Sequence, residues 1–281
     1  MTAAHGASPS ADDTGRVRWT ELSQLRGVRL VTTGQGPPIV VLSGLEGSGE
    51  SCLHLVLPVV VPAGAPPRGR VILVNYAAER HRTLGELVAP IGELLGHAFP
   101  ADATVTLWGQ SFGNLLVALT AQQLGMRVLR TMMVSPFTGL PQIRVAAGRA
   151  SLAVAWRPLY RATAQSASRL IFGPAPRGSG RPFFRAIAHA APADVHRRMG
   201  WLSRADFANA FLALRAPTAV WLGERDRLVD LPRQLAFFTA VTRDPDSQLV
   251  VIPGSGHVVL PPGAVSYARA TLTDWLDGAT R

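Results

Sequence analysis

The stretch Thr104-Val105-Thr106-Leu107-Trp108-Gly109-Gln110-Ser111-Phe112-Gly113-Asn114-Leu115-Leu116 decides how this chain is read. β-Branched and aliphatic residues run up to Trp108, a serine follows between two glycines, and an apolar segment with helical spacing begins at Phe112. The pattern predicts a strand, a sharp turn and a helix. A serine at such a turn has strained backbone angles, and its hydroxyl projects from the C-terminal edge of a sheet. Gly109 and Gly113 allow strand and helix to pack closely around it. The helix N-terminus behind it favours developing negative charge. Ser111 is therefore a candidate nucleophile, set against the plainer reading of an ordinary turn serine.

Working outward, runs rich in β-branched and aliphatic residues recur at 27–33, 39–42, 71–75, 105–108, 131–134, 218–222 and 248–252, and each reads as a buried strand. Between most of them lie segments with helical spacing, at 84–97, 112–124, 232–242 and 264–276. Strands alternating with helices predict a parallel sheet covered on both faces. Residues 137–204 break the rhythm, because no strand is evident in a segment too long to be an ordinary connection. A helical cap inserted into the core is the simplest reading.

A neutral serine needs a base, and the base needs a partner that orients it. After the strand at 218–222 comes Gly223-Glu224-Arg225-Asp226-Arg227-Leu228-Val229, which puts a carboxylate just past a strand end. After 248–252 comes Pro253-Gly254-Ser255-Gly256-His257-Val258-Val259, a histidine on a glycine-rich loop. Successive parallel strands place Ser111, Asp226 and His257 on one edge of the sheet. Asp230 and Glu224 are rival acids. An acid directly after 131–134 would be a third, but Ser135-Pro136-Phe137 offers none.

The oxyanion formed on attack needs two backbone donors. One is expected from Phe112, directly after the serine. The other is expected from Leu45 in the loop Ser43-Gly44-Leu45-Glu46-Gly47-Ser48-Gly49. A phosphate-binding loop is the competing reading, but these glycines do not spell G-x-G-x-x-G and Glu46 would repel a phosphate.

These motifs together resemble the α/β-hydrolase fold family from Pro38 to Asp277. The resemblance implies an eight-stranded, mostly parallel sheet flanked by helices, a cap inserted after the sixth strand, and no cofactor. Three departures stand out: Ser43-Gly44 where many members have His-Gly, Asn75-Tyr76 where many have Asp, and Asn114 where a further glycine is common. A serine nucleophile argues against the members that use Asp, the dehalogenases and epoxide hydrolases.

Composition narrows the alternatives. The 281 residues are 47% hydrophobic and 16% charged, which suits a chain with a large buried core. All 28 basic residues are Arg, so neither a Schiff-base lysine nor a phosphate-loop lysine is possible. The single cysteine, Cys52, excludes an internal disulfide and reads as a buried structural thiol. His189 and His196 read as surface residues rather than metal ligands. Residues 1–15 read as a disordered leader rather than a signal peptide. The longest apolar run, 53–65, is interrupted by Pro58 and Pro62 and is too short to span a bilayer. A soluble and, in a bacterium, cytoplasmic protein is expected.

The net charge of +10 is confined to residues 137–204, which hold 11 Arg and one acid, Asp194. Arg157, Arg161, Gln165 and Arg169 share one helical face, opposite Leu152, Trp156, Leu159 and Leu170. This is either a solvated face over an apolar lid or a site for an anionic partner, with coenzyme A, an acidic carrier protein and a membrane surface as candidates. No stacking platform accompanies these arginines, so nucleic acid is not expected. Phe137, Trp156, Leu159 and Phe172 are the candidate acyl-pocket residues. The expected activity is cleavage of a carboxylic ester through Ser111, His257 and Asp226. A thioesterase or acyltransferase acting on coenzyme- or carrier-bound chains is the alternative. A catalytically silent binding protein on the same fold is a third reading.

Overall fold

The structure is a computed structural model, and residues 19–60, 69–77, 80–139, 190–202 and 206–257 are described. The expected leader, the helix at 264–276, and Arg157, Arg161, Gln165 and Arg169 of the cap lie outside the described residues. So do Trp156, Leu159 and Phe172.

Eight strands form one sheet: β1 (Thr20–Leu25), β2 (Val28–Thr33), β3 (Pro38–Leu42), β4 (Arg70–Tyr76), β5 (Val105–Gln110), β6 (Val128–Val134), β7 (Thr218–Gly223) and β8 (Gln248–Ile252). Their spatial order is β1-β2-β4-β3-β5-β6-β7-β8. The β1–β2 and β2–β4 pairings are antiparallel, and every pairing from β4 to β8 is parallel. The described helices are α1 (Leu53–Val60), α2 (Leu84–Ala98), α3 (Gly113–Leu124), α4 (Pro192–Leu202), α5 (Ala208–Leu212) and α6 (Leu231–Val241). None of them is long and apolar enough to cross a membrane.

The central strands are continuous apolar runs because both faces of the sheet are covered. Along β3, Val40 and Leu42 enter one buried cluster while Ile39 and Val41 enter another. β4 divides in the same way, Ile72 and Val74 against Val71 and Leu73. The first cluster is filled by α2 and α3, through Leu87, Ile91, Leu94, Leu115 and Leu116. The second contains Leu55 and Val56 of α1 together with Trp108 and Trp221, whose rings meet edge to face at 6.4 Å. Fully burying each such side chain contributes about 1.5–3 kcal/mol.

Three points differ from expectation. The sequence pattern missed β1, whose residues Thr-Glu-Leu-Ser-Gln-Leu are exposed or half-buried on a sheet edge. Gly27, expected in a strand, instead forms a two-residue hairpin turn with Arg26, both at positive φ, and β2 starts at Val28. β8, expected to be buried, is half-buried except at Ile252. It is the last strand in the sheet order, so it has a paired neighbour on one side only.

Helix α4 lies on the cap side of the expected boundary, yet Trp201 and Leu202 join the same cluster as Phe112 and Leu116. The described end of the segment expected to form a cap therefore packs onto the core.

Candidate active site

The parallel strands bring several loops to one edge of the sheet. Ser111 directly follows β5. Its φ of +53° lies in the left-handed region, a conformation that costs a non-glycine residue about 1–3 kcal/mol and persists only where neighbours enforce it. Its N–H donates to the Val134 carbonyl at 2.9 Å, and its own carbonyl accepts from the Asn114 N–H at 3.0 Å. The Asn114 side-chain amide donates to the carbonyls of Ser111 and Val134, both at 2.8 Å. Asn114 thus ties the turn to β6. At Gly113 a Cβ would overlap the carbonyl oxygens of Leu42 and Ser43, so α3 packs this close to β3 only with glycine there.

Ser111, His257 and Asp226 come together as the sequence predicts. His257 Nε2 lies 2.8 Å from Ser111 Oγ, and His257 Nδ1 lies 2.8 Å from Asp226 Oδ2. An ionised carboxylate can only accept, so Nδ1 carries the proton and Nε2 is left as the acceptor for the serine hydroxyl. The other carboxylate oxygen of Asp226 accepts from the N–H groups of Leu228 at 2.8 Å and Val229 at 2.9 Å. Burial acts to raise the Asp226 pKa. The charge and hydrogen bond of His257, with the two amide bonds, outweigh it and hold the carboxyl below its ordinary value. His257 and Asp226 are both buried.

The rival acids are engaged elsewhere. Asp230 caps α6 by accepting from the Arg233 N–H at 3.2 Å. Glu224 accepts from the Gly254 N–H at 2.7 Å and ties the loop after β7 to the loop after β8.

Phe112 is buried at the start of α3, and Leu45 stands in the turn closed by the Gly47 N–H on the Gly44 carbonyl at 3.2 Å. Among the described residues no acceptor takes the N–H of either. Three side chains hold this turn, and sequence reasoning, which placed Glu46 in the loop, gave none of them this role. The Tyr76 hydroxyl, 2.7 Å from the carbonyl oxygens of both Ser43 and Gly44, donates to them. The Glu46 carboxylate accepts from the Gly44 N–H at 3.0 Å and from the Ser51 hydroxyl. Arg198 of α4 donates to the Leu45 carbonyl. Burial pushes the Glu46 carboxyl above its ordinary value, against its hydrogen bonds and the nearby Arg198 charge. The one available signal was Asn75-Tyr76 standing where an acid is common: Asn75 Oδ1 accepts from the Gly49 N–H at 2.9 Å, so both residues of the pair fasten the loop.

Phe137 is buried in the core cluster with Phe112 and Trp201. Cys52 is buried, and burial followed by the Glu46 charge pushes its thiol up, away from the reactive thiolate. His196 is exposed. Among the described residues no group of His, Cys, Asp and Glu could hold a metal ion.

No protein-family model matches the sequence, and no curated protein matches it. Solved structures do. An esterase from Exiguobacterium antarcticum superposes with a TM-score of 0.73 at 16% identity, over 92% of this chain and 99% of that one. A carboxylesterase from Bacillus subtilis gives 0.68 at 16% identity, over 93% of this chain and 92% of that one. A bromoperoxidase from Bacillus anthracis gives 0.68 at 17% identity, over 92% and 99%. With the strand order above, these neighbours show that the chain has the α/β-hydrolase fold.

Proposed function

We propose that the chain is a serine hydrolase that cleaves a carboxylic ester through an acyl-enzyme. The observation that carries this reading is the line Asp226–His257–Ser111, joined by two contacts of 2.8 Å. As Ser111 Oγ forms its bond to the acyl carbon, His257 Nε2 takes the hydroxyl proton. Asp226 stays ionised and stabilises the imidazolium. The negative charge that develops on the carbonyl oxygen is held by the Phe112 and Leu45 amides, with α3 behind it. Collapse breaks the bond to the leaving oxygen, which receives the proton from His257. Water, giving a proton to the same Nε2, then attacks the acyl-enzyme, releases the acid and restores Ser111.

Of the three neighbours named above, two are esterases, which favours an ester substrate. The bromoperoxidase on the same fold means that the assignment rests on the site rather than on the neighbours. An oxygen ester of a medium-sized acyl group is the proposed substrate class.

Treating the folded protein with a fluorophosphonate and weighing it tests the mechanism. A single adduct, mapped to Ser111 and absent from Ser111→Ala, is expected. An unmodified protein, or an adduct elsewhere, would sink the reading. A panel of esters graded in acyl length then defines the substrate.

A further inference from the structure

Helix α4 carries two side chains, three residues apart, that touch the residues supplying the two proposed oxyanion donors. Arg198 is fully buried. Its Nη1 donates to the Leu45 carbonyl and its Nη2 to the Tyr76 carbonyl at 2.9 Å. The guanidinium lies 4.8 Å above the Tyr76 ring and 3.6 Å from Asp194, one helical turn earlier. Trp201 stacks on Phe112 with ring centroids 6.5 Å apart, and its Nε1 donates to the Arg82 carbonyl at 2.8 Å. The loop is shaped to admit the guanidinium. Gly47 has a φ of +74°, and a Cβ there would sit 2.6 Å from Arg198 Nη2.

The effect on Leu45 follows from peptide planarity. The Leu45 N–H shares a plane with the Gly44 carbonyl, which accepts from the Tyr76 hydroxyl and the Gly47 N–H. The next plane contains the Leu45 carbonyl, which Arg198 holds. Fixing both planes fixes the backbone angles of Leu45 and hence the direction of its N–H. A charged, bidentate donor suits this, because planar guanidinium bonds are strong and directional.

We propose that Arg198 is a positioning residue for the reaction. Through the Leu45 carbonyl it holds the turn whose amide binds the oxyanion, and Trp201 steadies Phe112 from the same helix. The proposal rests on the serine-hydrolase reading and adds a fully buried residue that acts through the Leu45 carbonyl.

The test compares Arg198→Met and Arg198→Lys with the parent protein, below the melting temperature of each. Removing an oxyanion donor outright costs roughly 100- to 1000-fold in kcat. A loosened donor is expected to cost about 10- to 100-fold in kcat for Arg198→Met, and less for the Lys variant, with KM little changed. Affinity for a trifluoromethyl ketone, which forms an anionic hemiketal on the serine, should fall in proportion to kcat/KM. Affinity for the carboxylic acid product should not. A folded Arg198→Met with kcat within about threefold of the parent would overturn the proposal, as would a loss confined to KM. If the Met variant does not fold, the Lys variant decides by the same criteria. Should neither fold, Tyr76→Phe, which frees the Gly44 plane and leaves Arg198 in place, must show the same kcat-specific loss. Unchanged kcat in that variant counts against the proposal. Fluorophosphonate labelling of the parent reports separately on the parent reading, so a labelled, active parent with an unimpaired variant rejects the role of Arg198 alone.

Discussion

Asp226 divides its two carboxylate oxygens between His257 and a pair of backbone amides, so its charge both orients the imidazole and fixes its own loop. Replacing it with Asn leaves the shape and removes the charge. The imidazole can then adopt the wrong tautomer, and kcat is expected to fall about 10⁴-fold, as when the acid of other Ser-His-Asp sites is neutralised. The pH dependence of stability gives an independent check. The folded-state pKa lies below the unfolded value of about 3.9, so the carboxylate's contribution is present above that value and lost as pH falls through the folded-state pKa. Asp226→Asn should therefore be less stable than the parent by about 1–3 kcal/mol near neutrality. The two should converge on acidification below about pH 4. A difference that stays constant down to strong acid would show that the charge is not what stabilises the loop. The line from Ser111 to Asp226 was legible in the sequence because each member follows a strand, and strands announce themselves by their apolar runs. Arg198 gave no signal and Tyr76 only its place in the Asn75-Tyr76 pair, because their partners are backbone carbonyls, which any residue carries.

At the scale of elements, what could be read depended on burial. β3 to β7 are covered on both faces and stand out as apolar runs, whereas β1 pairs through its backbone on an exposed edge and has a polar sequence. Helix α1, expected after the glycine-rich loop from its place in the chain, has no periodic signal of its own, since Leu55 and Val56 face the core without a polar stripe to give it a period. Helix α6 shows how an element separates two acids that sequence alone leaves as rivals. Asp230 belongs to the helix, as the side chain that satisfies one of its first free N–H groups, and Asp226 belongs to the loop. Asp230→Ala is thus expected to cost about 0.5–2 kcal/mol of stability through the lost cap, with activity at moderate temperature unchanged. Thermal melting and kcat/KM measured together check this. A collapse of kcat without a drop in melting temperature would transfer the orienting role from Asp226 to Asp230.

For the whole molecule, the fold gathers the loops after β3, β5, β7 and β8 at one edge, and the charge is distributed quite differently from this chemistry. Outside residues 137–204 the sequence has 17 Arg and 17 acids, so the excess of +10 belongs to residues 137–204. Within that segment Asp194, the single acid, sits 3.6 Å from Arg198, which is buried against the oxyanion turn rather than set on a solvated face. One guanidinium is thereby committed to the core, and the other ten in the segment have no acid within it. Such a field acts on a substrate in proportion to the substrate's charge and is screened by salt. The ester reading makes a definite demand on it. With a neutral ester, kcat/KM should change by less than about twofold between roughly 0.02 and 0.5 M salt. An acyl-coenzyme A thioester carries several negative charges, so its kcat/KM should fall steeply over the same range if the segment attracts it. Should the thioester be the better substrate at low salt and lose that advantage at high salt, the substrate class moves from free esters to coenzyme- or carrier-bound acyl groups. On the proposed reading the acyl-enzyme mechanism on Ser111 is the same in either case, because the charge would act on what arrives at the site and the line Asp226–His257–Ser111 on the acyl group once bound.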